Sequence, residues 1–200
     1  MAATAAGLTL LPATAAQAAV PGGVLAWGSD TPFQGKIPGT LPGQLCDGGA
    51  ADQPVAVPAA APANANVTAI STQKDHTLAV IGGAVFACGL NRFGQLGDNT
   101  VANKAVPVAA AAPANANITA VSAGWDHSLA LSVTGTVYAW GQNRWGQLGD
   151  GTLVDKNAPV AVGFPAGTVI TAIAAGAYFS LSLDSSGQVW GWGFSGYGEA

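Results

Sequence analysis

Two histidines are the residues of this chain best suited to proton transfer or metal binding. His76 and His127 each follow an aspartate, within the segments DHTLAV and DHSLAL. Histidine titrates near neutral pH and is the commonest metal ligand, so the pair suggests catalysis or a metal site. The alternative is a repeated structural hydrogen bond from each imidazole to neighbouring backbone or a loop. Their separation of 51 residues, at matching positions of a repeat, favours the structural interpretation, because equivalent positions of a repeat need not converge in space.

The other ionisable residues do not form a catalytic pattern. Most of the ten acidic residues fall in predicted turns, where aspartate caps backbone amides. The chain contains no nucleophile-elbow serine motif, no zinc signature and no calcium-loop motif. We therefore expect no catalytic residue, no metal and no cofactor.

The two cysteines, Cys46 and Cys88, leave two interpretations open. In an exported protein they can form one disulfide. Cys88 also falls at an expected buried strand position, where a free cysteine behaves as a small hydrophobic residue.

A tandem repeat organises these residues. Similar segments begin at Val24, Val85, Val137 and Val189, with spacings of 61, 52 and 52 residues. The longer first spacing places about ten additional residues, rich in proline and glycine, in a loop at 29–43, and insertions of this kind go into surface loops. A second set of segments begins at threonine and a third at Pro-Val, both with the same period, so the pattern is a true repeat.

Each repeat predicts several short strands. The segments VYAW, ITAVSA and SLALSV are apolar or alternating and rich in β-branched and aromatic residues, and Thr134-Gly135 is a turn signal. Short strands with regular turns and a period near fifty residues are typical of propeller blades. One repeated strand position holds tryptophan and is expected in the core; its members are Trp27, Trp140 and Trp192. Another is expected to pack between blades, with partial exposure as the alternative; its members are Phe93, Trp145 and Tyr197.

The segment NRWGQLGDGT predicts a tight loop. Its glycines permit positive φ or a close backbone approach, and Gln147 and Asp150 can satisfy backbone amides. Leu148 is expected to anchor the loop to the core. The segment is not a phosphate-binding loop, because it lacks the Lys-Ser/Thr ending.

The segments VYAWGQNRWGQLGDGT and SAGWDHSLAL resemble the repeat of the regulator of chromosome condensation family. The resemblance extends over residues 22–200 and implies an all-β fold, a seven-bladed β-propeller of which three to four blades are present. We therefore expect a propeller fragment with repeats near 22–53, 54–106, 107–158 and 159–200, the last one truncated. Such a fragment exposes blade edges, so self-association through them is expected. Closure of the propeller by dimerisation is the alternative to a fragment.

Residues 1–18 are predicted to be an export signal. An apolar stretch at 5–16 is followed by Ala16-Gln17-Ala18, a small-x-small cleavage pattern, with Ala19 as the mature start. No basic residue precedes that stretch, and the alternative is an alanine-rich disordered start. Export makes the secreted bacterial propellers the best match within the family and predicts a secreted or cell-surface protein.

Charge and hydropathy exclude two classes of partner. The chain carries six basic residues and a net charge of −4, too few cations for the basic face that binding to phosphates requires. No later segment is long and apolar enough to span a bilayer. We therefore expect no nucleic-acid partner and no membrane span.

Trp125 is the most informative candidate for binding. Its equivalents in the neighbouring repeats are Lys74 and Ala177, and a position this variable is not expected in the core. In the family that the chain resembles, these residues lie near one face of the propeller. The predicted binding residues are Lys74, Asp75, Trp125, Asp126 and Tyr178. The alternative interpretation of these positions is ordinary surface variation.

Taken together, the sequence predicts an exported, non-catalytic propeller that binds a protein or a cell-wall polymer through one rim of loops. An intracellular scaffold resembling a guanine-nucleotide exchange factor is the second hypothesis, and a secreted propeller enzyme is the third.

Overall fold

The chain is all-β in the computed structural model, which describes residues 25–28, 44–49, 53–60, 65–113 and 115–196. Those residues contain no helix and form thirteen strands. The all-β prediction is confirmed. The strands are β1 (Leu25–Gly28), β2 (Gln53–Pro58), β3 (Val67–Gln73), β4 (His76–Ile81), β5 (Ala84–Gly89), β6 (Lys104–Ala109), β7 (Ile118–Ala123), β8 (His127–Ser132), β9 (Val137–Gly141), β10 (Lys156–Ala161), β11 (Ile170–Ala175), β12 (Phe179–Asp184) and β13 (Val189–Gly193).

The strands form four antiparallel sheets, which we number in chain order. The first sheet is β1–β2, the second is β3–β4–β5–β6, the third is β7–β8–β9–β10 and the fourth is β11–β12–β13. Strands that are consecutive within a sheet are neighbours in space, so each sheet of three or four strands is a meander. Short turns join its first three strands, and a longer loop leads to the fourth strand where one is present. Between β4 and β5 the turn is Gly82-Gly83, and both glycines have positive φ, as a two-residue hairpin turn requires.

The Pro-Val segments of the repeat form the outermost strand of each four-stranded sheet, a role that the sequence analysis did not assign to them. Pro107 lies in β6 and Pro159 in β10. Proline has no N–H to donate to a neighbouring strand, so an edge is where a sheet tolerates it. The register of both outer strands shifts by a bulge or irregularity.

Successive sheets stack face to face, as blades of a propeller do. The strand β7 packs on β3 and β4, and β11 packs on β7 and β8. Leu78, Val80 and Val85 are fully buried where the second sheet meets the third, and Leu131 and Val137 are buried where the third meets the fourth. The blade-like stacking predicted from the repeat is confirmed by these contacts.

A glycine–tryptophan contact recurs where neighbouring sheets meet. Gly97 of the second sheet's loop lies under Trp140 of the third sheet, and Gly149 lies under Trp192 of the fourth. A Cβ built on Gly97 stands 2.8 Å from the indole nitrogen of Trp140, so a side chain there would collide with the ring. Trp140 is fully buried and Trp192 is half-buried, which agrees with the core packing predicted for both; the side chain of Trp27 lies outside the described residues.

Where the first repeat meets the second sheet, the two cysteines occupy the positions that hold the glycine and the tryptophan at the other junctions. Cys46 aligns with Gly97, and Cys88 aligns with Trp140. The structure joins the cysteines in a disulfide with a Cα–Cα distance of 5.7 Å, which resolves the question that the sequence left open. Cys46 keeps the left-handed backbone of the glycine it replaces, with φ of 59°. A covalent bond therefore stands where the other two contacts use a ring packed on a glycine.

The long loop after the third strand of the second and third sheets is organised around a buried asparagine. The side-chain nitrogen of Asn143 donates to the Thr152 carbonyl at 3.0 Å and to Asp150 Oδ1 at 3.0 Å, while its oxygen accepts from the Leu148 amide at 2.9 Å. Asn91 makes the equivalent bonds in the second sheet. Both asparagines are fully buried. The sequence analysis did not identify this role.

The predictions for the remaining loop residues are confirmed. Gln147 Oε1 accepts the Trp145 amide at 2.9 Å, and Asp150 Oδ1 accepts the Thr152 amide at 2.9 Å. Leu148 is fully buried against the core between the third and fourth sheets. Partial burial raises the pKa of Asp150, but its bonds to Thr152, Asn143 and Lys156 together bring that pKa below its ordinary value.

Several sequence predictions concern residues outside the described part of the chain. These are the export signal at 1–18, the loop at 29–43 and Tyr197. Within the described residues, no helix has the length and apolar character needed to cross a bilayer.

Candidate functional site

Both histidines join neighbouring sheets. His76 Nε2 lies 2.9 Å from the hydroxyl of Ser128, and His127 Nε2 lies 3.0 Å from that of Ser180. Each serine hydroxyl in turn donates to a carbonyl of the preceding loop, Ser128 to Gln95 at 2.8 Å. A hydroxyl has one hydrogen, so the imidazole must be the donor to the serine oxygen.

The structural interpretation of the histidines is therefore confirmed, with one correction to the expected partner. We expected neighbouring backbone or a loop, and each imidazole instead bonds a serine side chain 52 or 53 residues away, on the next sheet. A catalytic serine would have to give its proton to the imidazole, whereas here the hydroxyl proton of Ser128 is committed to a backbone carbonyl.

Burial keeps both imidazoles neutral. Burial lowers the pKa of His76 from 6.5 to about 4 and that of His127 to about 3. Gly124 makes room for this arrangement, because a Cβ there would overlap the His127 ring. Within the described residues, no three histidine, cysteine or acidic side chains come together as metal ligands would.

The five predicted binding residues lie at one end of three neighbouring sheets. Lys74 and Asp75 form the turn between β3 and β4, Trp125 and Asp126 lie in the β7–β8 turn, and Tyr178 lies in the β11–β12 turn. In an antiparallel meander, the turn after the first strand and the loop after the third strand emerge at the same end of the sheet. We call this end of the sheets the turn face.

Asp126 links the second and third sheets beneath the turn face. Its carboxylate lies 2.9 Å from Lys74 Nζ, 3.5 Å from Arg92 Nη2 and 3.5 Å from Gln95 Nε2. The side chain of Asp126 is only 4% exposed, and Asp75 is also buried. The two aspartates thus support the turn face from below, while Trp125, with 39% exposure, is presented to solvent.

Four aromatic side chains form a continuous line across the turn face, which we call the aromatic row. The ring centroids are 5.2 Å apart for Trp125 and Tyr178, 6.5 Å for Tyr178 and Phe194, and 5.0 Å for Phe194 and Trp145. All three contacts are edge-to-face, a favourable geometry for aromatic pairs. Trp145 is 42% exposed, so both ends of the row are open to solvent.

A cation stands over each end of the aromatic row. Lys74 Nζ is 5.4 Å from the centre of the Trp125 ring, and the Arg144 guanidinium is 5.0 Å from that of Trp145. Both distances are within the range of cation–π attraction. The Arg92 guanidinium stacks in the same way on Phe93, at 4.7 Å. The turn face therefore combines aromatic rings with cations, although the chain as a whole is acidic.

Sequence reasoning missed half of this row. It placed Trp145 between blades with partial exposure as the alternative, and Trp145 both contacts Phe194 of the next sheet and is exposed, but its place in a binding surface was not predicted. Arg144 and Phe194 were not identified. The available signal was topological, because the NRWGQLG loop follows a third strand and must emerge at the same end as the Trp125 turn.

Comparisons with known proteins identify the repeat. The regulator of chromosome condensation (RCC1) repeat matches residues 82–131 and 134–183, and a second description of the same repeat matches 118–147 and 170–199. The ultraviolet-B receptor UVR8 of Arabidopsis thaliana is 34% identical over 119 residues, 59% of this chain and 27% of the receptor. Human protein RCC2 is 34% identical over 117 residues, 58% of this chain and 22% of RCC2.

Solved structures agree with the sequence relatives. Prp20p of Saccharomyces cerevisiae, described with its binding to Gsp1p and histones, aligns with a TM-score of 0.69 and 27% identity, over 86% of this chain and 39% of Prp20p. Human WBSCR16 aligns with a TM-score of 0.69 and 23% identity, over 76% of this chain and 40% of that chain. The chain spans about a quarter of the length of the curated relatives it matches. From its repeats, its stacked sheets and these matches, the chain belongs to the regulator of chromosome condensation repeat family, and its sheets are blades of that family's β-propeller.

Proposed function

We propose that this chain is a non-catalytic protein-binding module that is exported and engages its partner through the aromatic row. The observation that carries the proposal is the exposure of Trp125 and Trp145, at 39% and 42%, in one continuous line of rings. Exposed aromatic residues beside arginine are the side chains that dominate binding energy at protein interfaces. The contacts of Asp126 with Lys74, Arg92 and Gln95 lie within the chain and support the aromatic row from below.

The relatives support a protein partner. The solved structure of yeast Prp20p is described with binding to Gsp1p and histones, and another with Kap60 bound. We extend to this chain only the class of partner, a protein. A cell-wall polymer is the alternative ligand, because exposed aromatic rings also stack on sugars.

The disulfide supports export. Disulfides persist in oxidising compartments and are rare in the cytosol. At the positions of Cys46 and Cys88, the other blade junctions hold a glycine and a tryptophan, which pack without any redox requirement. A chain that relies on a cystine at this contact is suited to folding outside the cytosol.

A photo-crosslinking experiment tests the binding proposal. A benzophenone amino acid replaces Leu153, which is 68% exposed and lies in the same loop as Trp145, next to Gly146. The matched control replaces Val133, which is 65% exposed at the opposite end of the third sheet. We expect a protein adduct from position 153 only, competed by excess unlabelled protein but not by the Trp125→Ala/Trp145→Ala variant.

Four outcomes contradict parts of the proposal. Equal adducts from both positions, or full competition by the double variant, would rule out the aromatic row as the binding surface. An adduct that glycosidases remove would indicate a cell-wall polymer. N-terminal sequencing tests export separately: a start near Ala19 in the secreted fraction is expected, and an intact Met1 in the cytosol would support the intracellular scaffold hypothesis.

A further inference from the structure

Two arginines occupy equivalent positions in neighbouring blades but have different surroundings. Arg92 follows Asn91, and Arg144 follows Asn143, in the same NR-x-GQLG loop. Arg92 lies 3.5 Å from the carboxylate of Asp126. Among the described residues, no carboxylate lies within ion-pair distance of Arg144.

Arg144 lacks a carboxylate partner because one residue differs in the turn of the neighbouring sheet that faces it. The repeat position that holds Asp126 in the third sheet holds Tyr178 in the fourth. The blade junction that should neutralise Arg144 therefore offers it a phenol. Arg144 is exposed and rests on the Trp145 ring, so its guanidinium edge remains available to an external acceptor.

A second replacement also makes the surroundings of Arg144 more apolar than those of Arg92. Phe194 takes the repeat position of Gln142, which is buried and accepts a hydrogen bond from Gln147. Phe194 lies between Trp145 and Tyr178, at 5.0 and 6.5 Å. A junction that is polar between the second and third sheets is thus aromatic between the third and fourth.

The other described cations are already neutralised. Lys74 pairs with Asp126 at 2.9 Å, Lys104 with Asp98 at 3.6 Å, and Lys156 with Asp150 at 3.3 Å. Arg144 is therefore the one basic side chain of the described residues without a carboxylate partner, and it stands at the end of the aromatic row.

We propose that Arg144, Trp145, Phe194 and Tyr178 bind an acidic polypeptide segment that also carries aromatic or apolar side chains. A glutamate or aspartate of the partner would take the place beside Arg144 that Asp126 takes beside Arg92, and the partner's rings would pack on the aromatic row. Guanidinium–carboxylate pairs give strong, directional hydrogen bonds. Because the chain itself has a net charge of −4, recognition depends on this local pair and not on long-range attraction. This inference rests on the proposed function and specifies its partner.

Three synthetic peptides with repeating units test the proposal by titration calorimetry. The first repeats Glu-Phe-Pro, the second Lys-Phe-Pro and the third Glu-Ser-Pro, so charge and rings vary separately. We expect binding of the first alone. Arg144→Gln should weaken it about tenfold or more, the usual loss for a charged hydrogen bond. Tyr178→Asp should weaken it similarly, because it restores the internal acid.

Arg92→Gln is the matched control, since it removes the equivalent arginine at the junction where Asp126 already supplies the carboxylate. We expect it to change the affinity by less than about threefold. Unchanged binding by Arg144→Gln, equal losses for both arginine variants, or binding of the lysine peptide would each overturn the proposal. If the photo-crosslinked partner is lost in Trp125→Ala/Trp145→Ala but retained in Arg144→Gln, the proposed function stands and this inference fails. Arg144 is exposed, so its variant is expected to fold even if Tyr178→Asp does not.

Discussion

Exchanging the cystine for the glycine–tryptophan pair of the other blades should restore a packed junction without a covalent bond. The change is Cys46→Gly combined with Cys88→Trp, which copies the Gly97 and Trp140 pair. The indole nitrogen of Trp140 donates to the Gln95 carbonyl at 2.8 Å. The equivalent acceptor, the Gln44 carbonyl, already accepts the Thr77 hydroxyl at 2.7 Å, as the Gln95 carbonyl accepts that of Ser128.

The structure sets the magnitudes for this exchange. The disulfide closes a loop with a sequence separation of 42 residues, for which chain entropy predicts about 4 kcal/mol of stabilisation. Burying the tryptophan ring returns roughly 2–3 kcal/mol, and its hydrogen bond returns about 1 kcal/mol more. The double variant should therefore unfold with a free energy within about 2 kcal/mol of the oxidised wild type.

The single variants should each be worse than the pair. Cys88→Trp alone brings the indole against the side chain of Cys46, as the Cβ built on Gly97 predicts at 2.8 Å; overpacking of this kind costs roughly 1–3 kcal/mol in addition to the lost disulfide. Cys46→Gly alone loses the disulfide and leaves Cys88 without a ring to fill the space. We expect a favourable coupling of at least about 2 kcal/mol in the double-mutant cycle.

Urea unfolding, followed by tryptophan fluorescence with and without reductant, measures these differences. Cys46→Gly/Cys88→Ala is the control, because it removes the disulfide without supplying the ring. The reasoning would be refuted if the tryptophan variant were no more stable than this control. The reduced wild type should fall close to the control, about 4 kcal/mol below the oxidised protein.

Two further predictions concern buried polar groups. Burial lowers the pKa of His76 to about 4 and that of His127 to about 3, so below pH 6.5 the unfolded chain binds more protons than the folded chain. The free energy of unfolding should therefore decrease as the pH is lowered from about 6 to 4.5, by roughly 1.4 kcal/mol per pH unit for each histidine. His127→Phe, which copies Phe179, should reduce that slope by about half in acid titrations followed by urea unfolding, and an unchanged slope would contradict a neutral buried imidazole. Asn143→Ala should destabilise the protein by about 3 kcal/mol or more, since it leaves the buried Leu148 amide without an acceptor; a loss below about 1 kcal/mol in the same assay would contradict the central role of this side chain.

The repeat was sufficient to predict the blades because each blade is locally encoded. Strands such as β7 and β8 follow from alternating apolar residues, and the loop roles of Gln147, Leu148 and Asp150 follow from neighbours within a few positions. Contacts of this range are visible in a single repeat unit.

Contacts between blades were not predictable in the same way. The serine that bonds His76 is 52 residues away, and nothing in a single repeat indicates which hydroxyl faces the ring. The disulfide required a further step: Cys46 and Cys88 sit at different repeat positions, and only the contact between Gly97 and Trp140 shows that these positions meet. Once that contact is known, the alignment alone pairs the cysteines.

The proposed binding surface was only half predictable from the sequence, for a related reason. Variability among repeats identified Trp125, because a core position would have kept its residue type. The same test could not identify Arg144, whose type matches that of Arg92. What distinguishes Arg144 is the replacement of its partner across the junction, which appears only when the two blades are placed side by side.

The junctions between blades thus keep one geometry while their chemistry changes. The contact below the loop is a cystine at Cys46 and a glycine–tryptophan pair at Gly97 and Gly149, and each choice fills the same space. Replacements of this kind at a junction preserve the stacking of the blades. Stacking alone therefore does not explain why a particular junction carries a particular replacement. At the turn face, the exchange of Asp126 for Tyr178 leaves the exposed Arg144 guanidinium without a carboxylate, beside the exposed rings of Trp125 and Trp145, an arrangement that suits a partner supplying the missing acid. The position at which a repeat stops satisfying its own residues is where an external ligand is expected.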